Sequence, residues 1–441
     1  MGTFIPNTDK QRTEILEEMG KSSINELFSN IPGECLIKDG YMIPKGISEM
    51  EVLDHMKKVG KENKVYEKVL RGAGAYKHFI PSTVTSISAK EEFLTAYTPY
   101  QGEISQGILQ SIFEYQTMIC EITGMDVSNA SVYDGATAAA EAVNMCVDNK
   151  HRTILVSDGV DKRILETIKT YNLGKDTNIK QIPMKDGQTD LVSLEKTIRD
   201  GDACLLIQHP NYYGVLEDVD EIEKIVHQSN VKLIMSCYPI SLGILKTPGE
   251  YGADIAVGEG QPMGLSMAYG GPYLGFMAAK KSMFRKLPGR IVGQTLDNKG
   301  ETGYVLTLQA REQHIRREKA GSNICSNQAH CALRVAIYLA TLGKEGFKDV
   351  AVQCSSKASY FHKELAKEGI LLAYDKPFFN EFTTICEKRD EILERLDESN
   401  ILGGLPLEED KIIWCVTEMI SKNDMDHVIS IIKEVRDEFD I

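Results

Sequence analysis

Between Thr137 and Ala279, short apolar runs alternate with segments whose apolar residues recur every three or four positions. Short apolar runs are typical of strands buried on both faces, and the longer spacing is typical of amphipathic helices. The runs predict strands at 154–157, 179–182, 203–207, 233–235, 254–257 and 273–279. The segments between them predict helices at 136–147, 161–172, 192–199 and 219–228. This alternation predicts an α/β domain around a mainly parallel sheet.

The region before this domain follows a different pattern. Residues 7–30 carry apolar side chains at helical spacing after Asn7 or Thr8, which predicts an amphipathic arm with one of these residues as its cap. Residues 72–107 are rich in Gly, Pro, Tyr, Ser and Thr, so we expect mostly loop there. A helix follows at about 107–123.

The region after the domain predicts a smaller unit. A long helical region at roughly 309–342 leads out of the large domain. The elements expected beyond it are a helix at 348–367, a strand near 381–386, a helix near 388–397, a strand at 411–416 and a helix at 424–438. We therefore expect a helical arm over 1–70, a large domain over 71–344 and a small C-terminal α/β domain over 345–441.

Charge and composition exclude several classes of function. The chain has 441 residues and a formal net charge of −14, which argues against nucleic acid or an anionic membrane as its main partner. It has no apolar run near the ~18 residues of a membrane span and no signal peptide at its start. Ten cysteines without a Cys-x-x-Cys pair indicate a reduced, cytoplasmic protein. Its nine histidines show no ligand clustering, so we expect no metal site.

One segment has the pattern of an anion-binding helix start. Asp134 can cap a helix whose first amides, those of Gly135, Ala136 and Thr137, point at one spot and attract a phosphate or carboxylate. A simple cap is the favoured explanation of the segment on its own, and the charge of Asp134 itself opposes an anion. The basic stretch Arg311–Lys319 leaves a similar choice between an anion site and a solvated helix face, and the solvated face is favoured.

The order of parts resembles that of fold-type-I pyridoxal-phosphate enzymes. In that family one strand ends in an aspartate that pairs with the pyridine nitrogen, and a lysine some two dozen residues later forms the Schiff base. The corresponding positions here hold Cys237 and Pro262, at the same spacing. Proline has no amine to condense with an aldehyde, and a neutral thiol cannot stabilise a pyridinium charge. The resemblance thus implies a scaffold whose own reaction centre is absent.

Several longer strings resemble one family within that class, the P-protein of the glycine cleavage system. They are Gly72-Ala-Gly-Ala-Tyr-Lys-His-Phe-Ile-Pro81, Tyr97-Thr-Pro-Tyr-Gln-Gly-Glu-Ile-Ser-Gln-Gly107, Gly124-Met-Asp-Val-Ser-Asn-Ala-Ser-Val-Tyr-Asp-Gly-Ala-Thr137, Pro288-Gly-Arg-Ile-Val-Gly293 and Leu308-Gln-Ala-Arg-Glu-Gln-His-Ile-Arg-Arg-Glu-Lys319. The similarity runs over essentially the whole chain.

The resemblance implies a second, homologous subunit that carries the lysine and the pyridoxal 5'-phosphate, in an α2β2 assembly. Together the subunits would decarboxylate glycine through a pyridoxal-phosphate aldimine, release CO2 and pass the aminomethyl group to the lipoyl arm of the H-protein. No nicotinamide fingerprint is expected, and the glycines at 258–264 lack the required spacing and following helix.

In this fold type, loops of one subunit often complete the site of the other. We therefore expect Tyr97, Tyr100 and Gln101 to face the partner's cofactor or the channel of the lipoyl arm. They could instead only pack the interface. Two further alternatives stay open: an autonomous enzyme that uses Lys280 or Lys281, and a non-catalytic scaffold that stabilises its partner or docks the H-protein.

Overall fold

A computed structural model describes residues 7–37, 40–408 and 410–439. The chain divides into two compact units, Met1–Val65 and Tyr66–Ile441. None of the helices in these described ranges is long and apolar enough to cross a bilayer. All ten cysteines are free thiols.

The first unit contains two helices, α1 (Asp9–Glu18) and α2 (Glu49–Gly60). Both begin at a capping box, which satisfies backbone N–H groups that the first turn leaves without partners. Thr8 is the cap of α1 and Ser48 is the cap of α2. Of the two caps proposed for the arm, Asn7 and Thr8, Thr8 is therefore the correct one. Neither helix buries a side chain.

The second unit is an α/β structure with many strands. Its strands are β1 (Lys68–Val69), β2 (Val127–Ser128), β3 (Thr153–Ser157), β4 (Asn178–Ile182), β5 (Met184–Lys185), β6 (Gln188–Thr189), β7 (Cys204–His209), β8 (Lys232–Cys237), β9 (Ile255–Glu259), β10 (Gly275–Ala279), β11 (Ile291–Leu296), β12 (Thr302–Thr307), β13 (Glu381–Ile385), β14 (Ile401–Leu402), β15 (Leu405–Pro406) and β16 (Lys411–Cys415). Its helices are α3 (Ser82–Ser88), α4 (Gln106–Thr123), α5 (Gly135–Cys146), α6 (Lys162–Tyr171), α7 (Leu191–Thr197), α8 (Val219–Gln228), α9 (Gln313–Arg316), α10 (Ala329–Lys367), α11 (Arg389–Glu398) and α12 (Lys422–Glu438).

Seven strands form the central sheet in the order β2–β10–β9–β8–β7–β3–β4. The five from β9 to β4 run parallel, and β10 is antiparallel to both of its neighbours. Successive residues of β3 enter different cores, because side chains alternate across a strand. Ile154 and Val156 pack in one core with the alanines of α5, and Leu155 packs in another with Ile222 of α8. The predicted α/β class with a mainly parallel sheet is confirmed.

The predicted helix at 309–342 is wrong in its position. The structure has the hairpin β11–β12 first, then only the single turn α9, and α10 begins at Ala329 and continues to Lys367. Gly321, Ser322 and Asn323 favour irregular backbone, which explains why no helix spans that stretch. Gly343 kinks α10 at a φ of +61°, a conformation that glycine adopts without strain.

The boundary expected at 344/345 therefore falls inside α10, and the division into three domains stays a prediction. Past the kink, α10 packs with β13, β16, α11 and α12 around a separate apolar core. Trp414 and Phe361 are fully buried there, with ring centroids 5.5 Å apart.

Replacing Phe361 with alanine is expected to lower the free energy of unfolding by about 3–5 kcal/mol, because a buried aromatic side chain leaves a cavity that the core cannot refill. Urea unfolding followed by circular dichroism measures this loss. Leu371→Ala is the matched control, since Leu371 is 59% exposed and its loss should cost below about 0.5 kcal/mol. Equal losses for the two variants would contradict the assignment of this core.

Candidate functional site

A cavity of about 590 Å³ opens at the carboxyl ends of β7, β8 and β9, where doubly wound sheets place their ligands. We call it the sheet-end cavity. Gln208, Cys237 and Glu259 line it from the strands, Gly135 lines it from the start of α5, and Tyr76 lines it from the loop before α3.

The start of α5 at this cavity is already bonded to carboxylates of the chain. The Thr137 amide donates to Oδ1 of the cap Asp134 at 2.7 Å, and the Gly135 amide donates to Oε2 of Glu259 at 2.9 Å. Two of the three amides proposed for an anion, those of Gly135 and Thr137, thus have internal acceptors. Ala136 lines the cavity.

Glu259 is the central polar group of the cavity. Besides the Gly135 amide, its carboxylate accepts from the amides of Gln261 at 3.0 Å and Leu274 at 2.9 Å. Burial raises the pKa of Glu259 to about 7, and the three backbone donors oppose this rise by favouring the ionised form. The N-terminus of α5 is therefore already bonded to a carboxylate of the chain itself, that of Glu259.

The two positions that correspond to the catalytic residues of the fold class do not support cofactor chemistry. Cys237 ends β8 and lines the cavity, and its thiol contacts the Val257 carbonyl oxygen at 3.5 Å. Burial raises the pKa of Cys237 to about 12, so the side chain stays neutral. Pro262 is buried and is not part of the cavity lining. The residues present do not fit pyridoxal phosphate.

Aromatic side chains close the cavity from the side of the loop before α3. Tyr76 and Tyr238 have ring centroids 4.3 Å apart. Gln261 holds Tyr76 in place, because its side-chain amide accepts from the Tyr76 N–H at 2.9 Å and donates to the Tyr76 carbonyl at 2.8 Å. The Tyr76 hydroxyl donates to buried Glu381 at 2.7 Å. Burial raises the pKa of Glu381 to about 7.

Lys280 and Lys281 lie at the opposite end of the sheet from this cavity. Because β10 is antiparallel to β9, Ala279 pairs with Ile255 at the start of β9, whereas Gly275 pairs with Glu259 at its end. Lys280 donates to the Gly252 carbonyl at 2.6 Å. This placement argues against an autonomous enzyme that uses either lysine.

The loop with Tyr97, Tyr100 and Gln101 does not contribute to the sheet-end cavity. Tyr97 is 89% exposed and Tyr100 is 54% exposed. The Tyr100 hydroxyl accepts from Nη2 of Arg290 at 3.1 Å, and the Arg290 guanidinium lies 5.4 Å from the Tyr100 ring centroid. Gln106 anchors the end of the loop through two hydrogen bonds to the backbone of Tyr304.

One group of metal-ligand type occurs among the described residues: His78, Cys354 and Glu418, whose ligand atoms lie within 4.8 Å of one another. The Glu418 carboxylate already bonds to Nδ1 of His78 at 2.7 Å and accepts from the Phe79 amide at 2.6 Å. The Cys354 thiol donates to the same carboxylate at 3.5 Å. We interpret the group as a hydrogen-bonded link between a loop, α10 and the segment after β16.

Sequence reasoning missed Glu259, Tyr76 and Gln261 as site residues. Glu259 ends β9 and Gln261 follows it, in a glycine-rich turn that was interpreted only through its glycine spacing and Pro262. A carboxylate directly at the end of a parallel strand, where ligands bind, was the available signal. The role of Tyr76 had no local signal, because it depends on Gln261 and Glu381, which are distant in sequence.

The sheet, its strand-end cavity and the C-terminal unit define a fold-type-I structure of the pyridoxal-phosphate-dependent class. Sphingosine-1-phosphate lyase of Burkholderia pseudomallei has the same fold, with a TM-score of 0.67 over 92% of this chain and 94% of that one at 12% identity. A crystal structure of glycine decarboxylase (P-protein) of the glycine cleavage system, in inhibitor-bound form, is more similar. Its TM-score is 0.91 at 38% identity, with 98% of this chain and all of that one covered.

The family profile "Glycine cleavage system P-protein" matches residues 2–432. Probable glycine dehydrogenase (decarboxylating) subunit 1 of Carboxydothermus hydrogenoformans is 47% identical, covering 97% of this chain and 99% of its own. The same subunit of Chloroherpeton thalassium is 45% identical, covering 98% and 99%. The chain belongs to the P-protein family of the glycine cleavage system. The predictions of family and of enzyme class, a glycine decarboxylase subunit, are thereby confirmed.

The buried acids predict how stability depends on pH. Burial raises the pKa values of Glu141, Glu259 and Glu381 from an ordinary 4.5 to about 7. Between these pH values the folded chain binds more protons at these three sites than the unfolded chain, so their contribution to the free energy of unfolding falls as pH rises from about 4.5 to 7. Each acid contributes on the order of 3 kcal/mol to this fall.

Glu259→Gln should make this fall shallower, because one of the three titrations is removed. Urea unfolding at several pH values measures the slope, and Glu121→Gln, at an exposed position, should leave it unchanged. An unchanged slope in Glu259→Gln would show that Glu259 has an ordinary pKa in the folded chain.

Proposed function

We propose that this chain is the subunit of a two-subunit glycine decarboxylase that does not hold pyridoxal phosphate, and that a homologous second subunit carries the lysine and the cofactor. One observation carries the proposal: the Glu259 carboxylate takes the Gly135 amide at the start of α5, together with the amides of Gln261 and Leu274. A phosphate would have to displace this buried carboxylate or lie beside its charge.

The catalytic positions add support. Neutral Cys237 cannot balance a positive ring nitrogen, and Pro262 offers no amine. The assembly decarboxylates glycine, releases CO2 and passes the aminomethyl group to the lipoyl arm of the H-protein. We place the assembly in the cytoplasm. An α2β2 arrangement is the simplest, because fold-type-I sites lie close to a two-fold interface.

Tyr97, Tyr100 and Gln101 complete the partner's site in this proposal. Their exposure, 89% for Tyr97 and 54% for Tyr100, supports a role at an interface. The Tyr100–Arg290 contact holds the loop on the rest of the unit, which supports a fixed position for these side chains. A scaffold that only stabilises the partner would use the same surface for packing alone.

Pro262→Lys alone is expected to leave the chain unable to bind pyridoxal phosphate, because Glu259 still occupies the start of α5 and residue 262 lies outside the cavity lining. The visible absorbance of an imine, and borohydride trapping followed by mass spectrometry, measure binding. The second subunit alone is the positive control. Stoichiometric imine formation by this variant, or by the unaltered chain, would overturn the assignment of the cofactor to the partner.

Tyr100→Phe is expected to lower the turnover of the assembled enzyme about tenfold with assembly intact, because it removes the hydroxyl that fixes Arg290 beside the partner's site. Gln101→Ala should act in the same direction. Glycine-dependent turnover and size-exclusion chromatography of the complex are measured together. Tyr360→Phe is the control, since it loses a hydroxyl bonded to Asp426 elsewhere in the chain. Lost assembly with unchanged turnover per complex would favour the scaffold.

A further inference from the structure

A second cavity of about 350 Å³ lies between the last turns of α5, the segment 285–289 and the segment 311–324. We call it the basic cavity, because five cationic side chains line it: Arg285, Lys286, Arg311, Arg316 and Lys319. The chain as a whole has a net charge of −14, so this concentration of positive charge is not a property of its average surface.

The cations of the basic cavity lack carboxylate partners. Within residues 7–37, 40–408 and 410–439, none of the five forms a salt bridge. Lys286 donates to the Met145 carbonyl at 3.1 Å, at the end of α5, and Arg311 donates to the Gly289 carbonyl at 2.7 Å. Neither hydrogen bond neutralises the positive charge of its donor, because both acceptors are backbone carbonyls. Burial lowers the pKa of Arg311, and the charge of neighbouring Glu312 only partly opposes this effect.

Three acidic side chains on the wall supply only part of the counter-charge to the five cations. Glu141 is buried and bonded to Ser322 at 2.8 Å, and burial raises its pKa to about 7. Asp148 accepts from the ring of His151 at 2.9 Å, and Glu312 lies 3.6 Å from the ring of His314. With five cationic and three acidic side chains in its lining, the cavity keeps an excess of positive charge.

Several buried polar atoms near the basic cavity have no hydrogen-bond partner within the described part of the chain. Six buried side-chain atoms of the described residues have no hydrogen-bond partner. Five of them belong to residues grouped around Pro288–Arg290: Asn129 Oδ1, Ser131 Oγ, Arg290 Nε, Arg311 Nε and Glu312 Oε1. Buried polar groups almost always have partners in a completed structure. Among these five atoms, the Arg311 Nε–H on the cavity wall is a donor that an oxyanion satisfies, whereas Asn129 Oδ1 and Glu312 Oε1 are acceptors that need a donor instead.

We infer that the basic cavity is a binding site for an oxyanion, a phosphate or carboxylate group, with Arg311 as its main contact and Arg316 and Lys319 at its rim. Guanidinium groups suit this chemistry because their N–H donors match the oxygens of carboxylate and phosphate. The anion has two possible sources: a small free anion, or an acidic side chain of the second subunit. The second source is consistent with the position of Arg290, which bonds to Tyr100 and adjoins Gly289 on the cavity wall.

The test is isothermal titration of inorganic phosphate into the full chain alone and into the assembled two-subunit enzyme. Saturable binding to the chain alone is expected, weakened at least tenfold by Arg311→Met. Arg316→Met and Lys319→Met, at exposed positions that should not affect folding, are expected to weaken binding a few-fold each. Arg317→Met is the matched control, because it removes the same charge from the same segment at a residue that does not line the cavity.

The assembled enzyme distinguishes the two sources. Phosphate binding that persists in the complex indicates a free anion. Binding that disappears in the complex, together with weaker assembly of the Arg311→Met subunit, indicates a carboxylate of the second subunit. Absence of saturable phosphate binding by the chain alone, or equal weakening by Arg311→Met and Arg317→Met, overturns the inference. Neither result depends on where pyridoxal phosphate binds, so the proposed function can fail or hold independently.

Discussion

The carboxylate of Glu259 on the first amide of α5 is the interaction on which the account of this chain depends. A helix start at the carboxyl ends of parallel strands attracts an anion. Here that anion comes from β9 itself, held by the amides of Gly135, Gln261 and Leu274. At the place where a fold of this class binds a ligand, the chain therefore supplies a carboxylate of its own.

The neighbouring substitutions agree with this arrangement. The end of β8 holds a neutral thiol, Cys237, packed against the Val257 carbonyl. The aromatic pair Tyr76–Tyr238 and the amide of Gln261 fill space beside it. The functional surface of the chain is then expected on its outside, where Tyr100 contacts Arg290 and the neighbouring Gly289 lines the basic cavity.

Much of the fold could be predicted from sequence because each central strand is buried on both faces and each covering helix is amphipathic. The helix α8 matches its predicted bounds, and β3 differs by one residue. The stretch 309–328 could not be predicted in this way, because its charges repeat at helical spacing although most of it does not fold as a helix. The absent lysine and aspartate were visible in the sequence at 262 and 237. The bonds of Glu259 to Gly135 and Leu274 were not, because only the folded sheet brings those two amides to it.

The most direct measurement is glycine-dependent exchange of CO2 with lipoylated H-protein and pyridoxal phosphate, made with this chain alone, with the second subunit alone and with both. The account predicts exchange at full rate only in the mixture, since one subunit holds the cofactor and the other completes the site. Exchange by this chain alone would contradict it. The chain would then bind the cofactor itself, despite Glu259 at the start of α5, Cys237 at the end of β8 and the absence of a lysine at position 262.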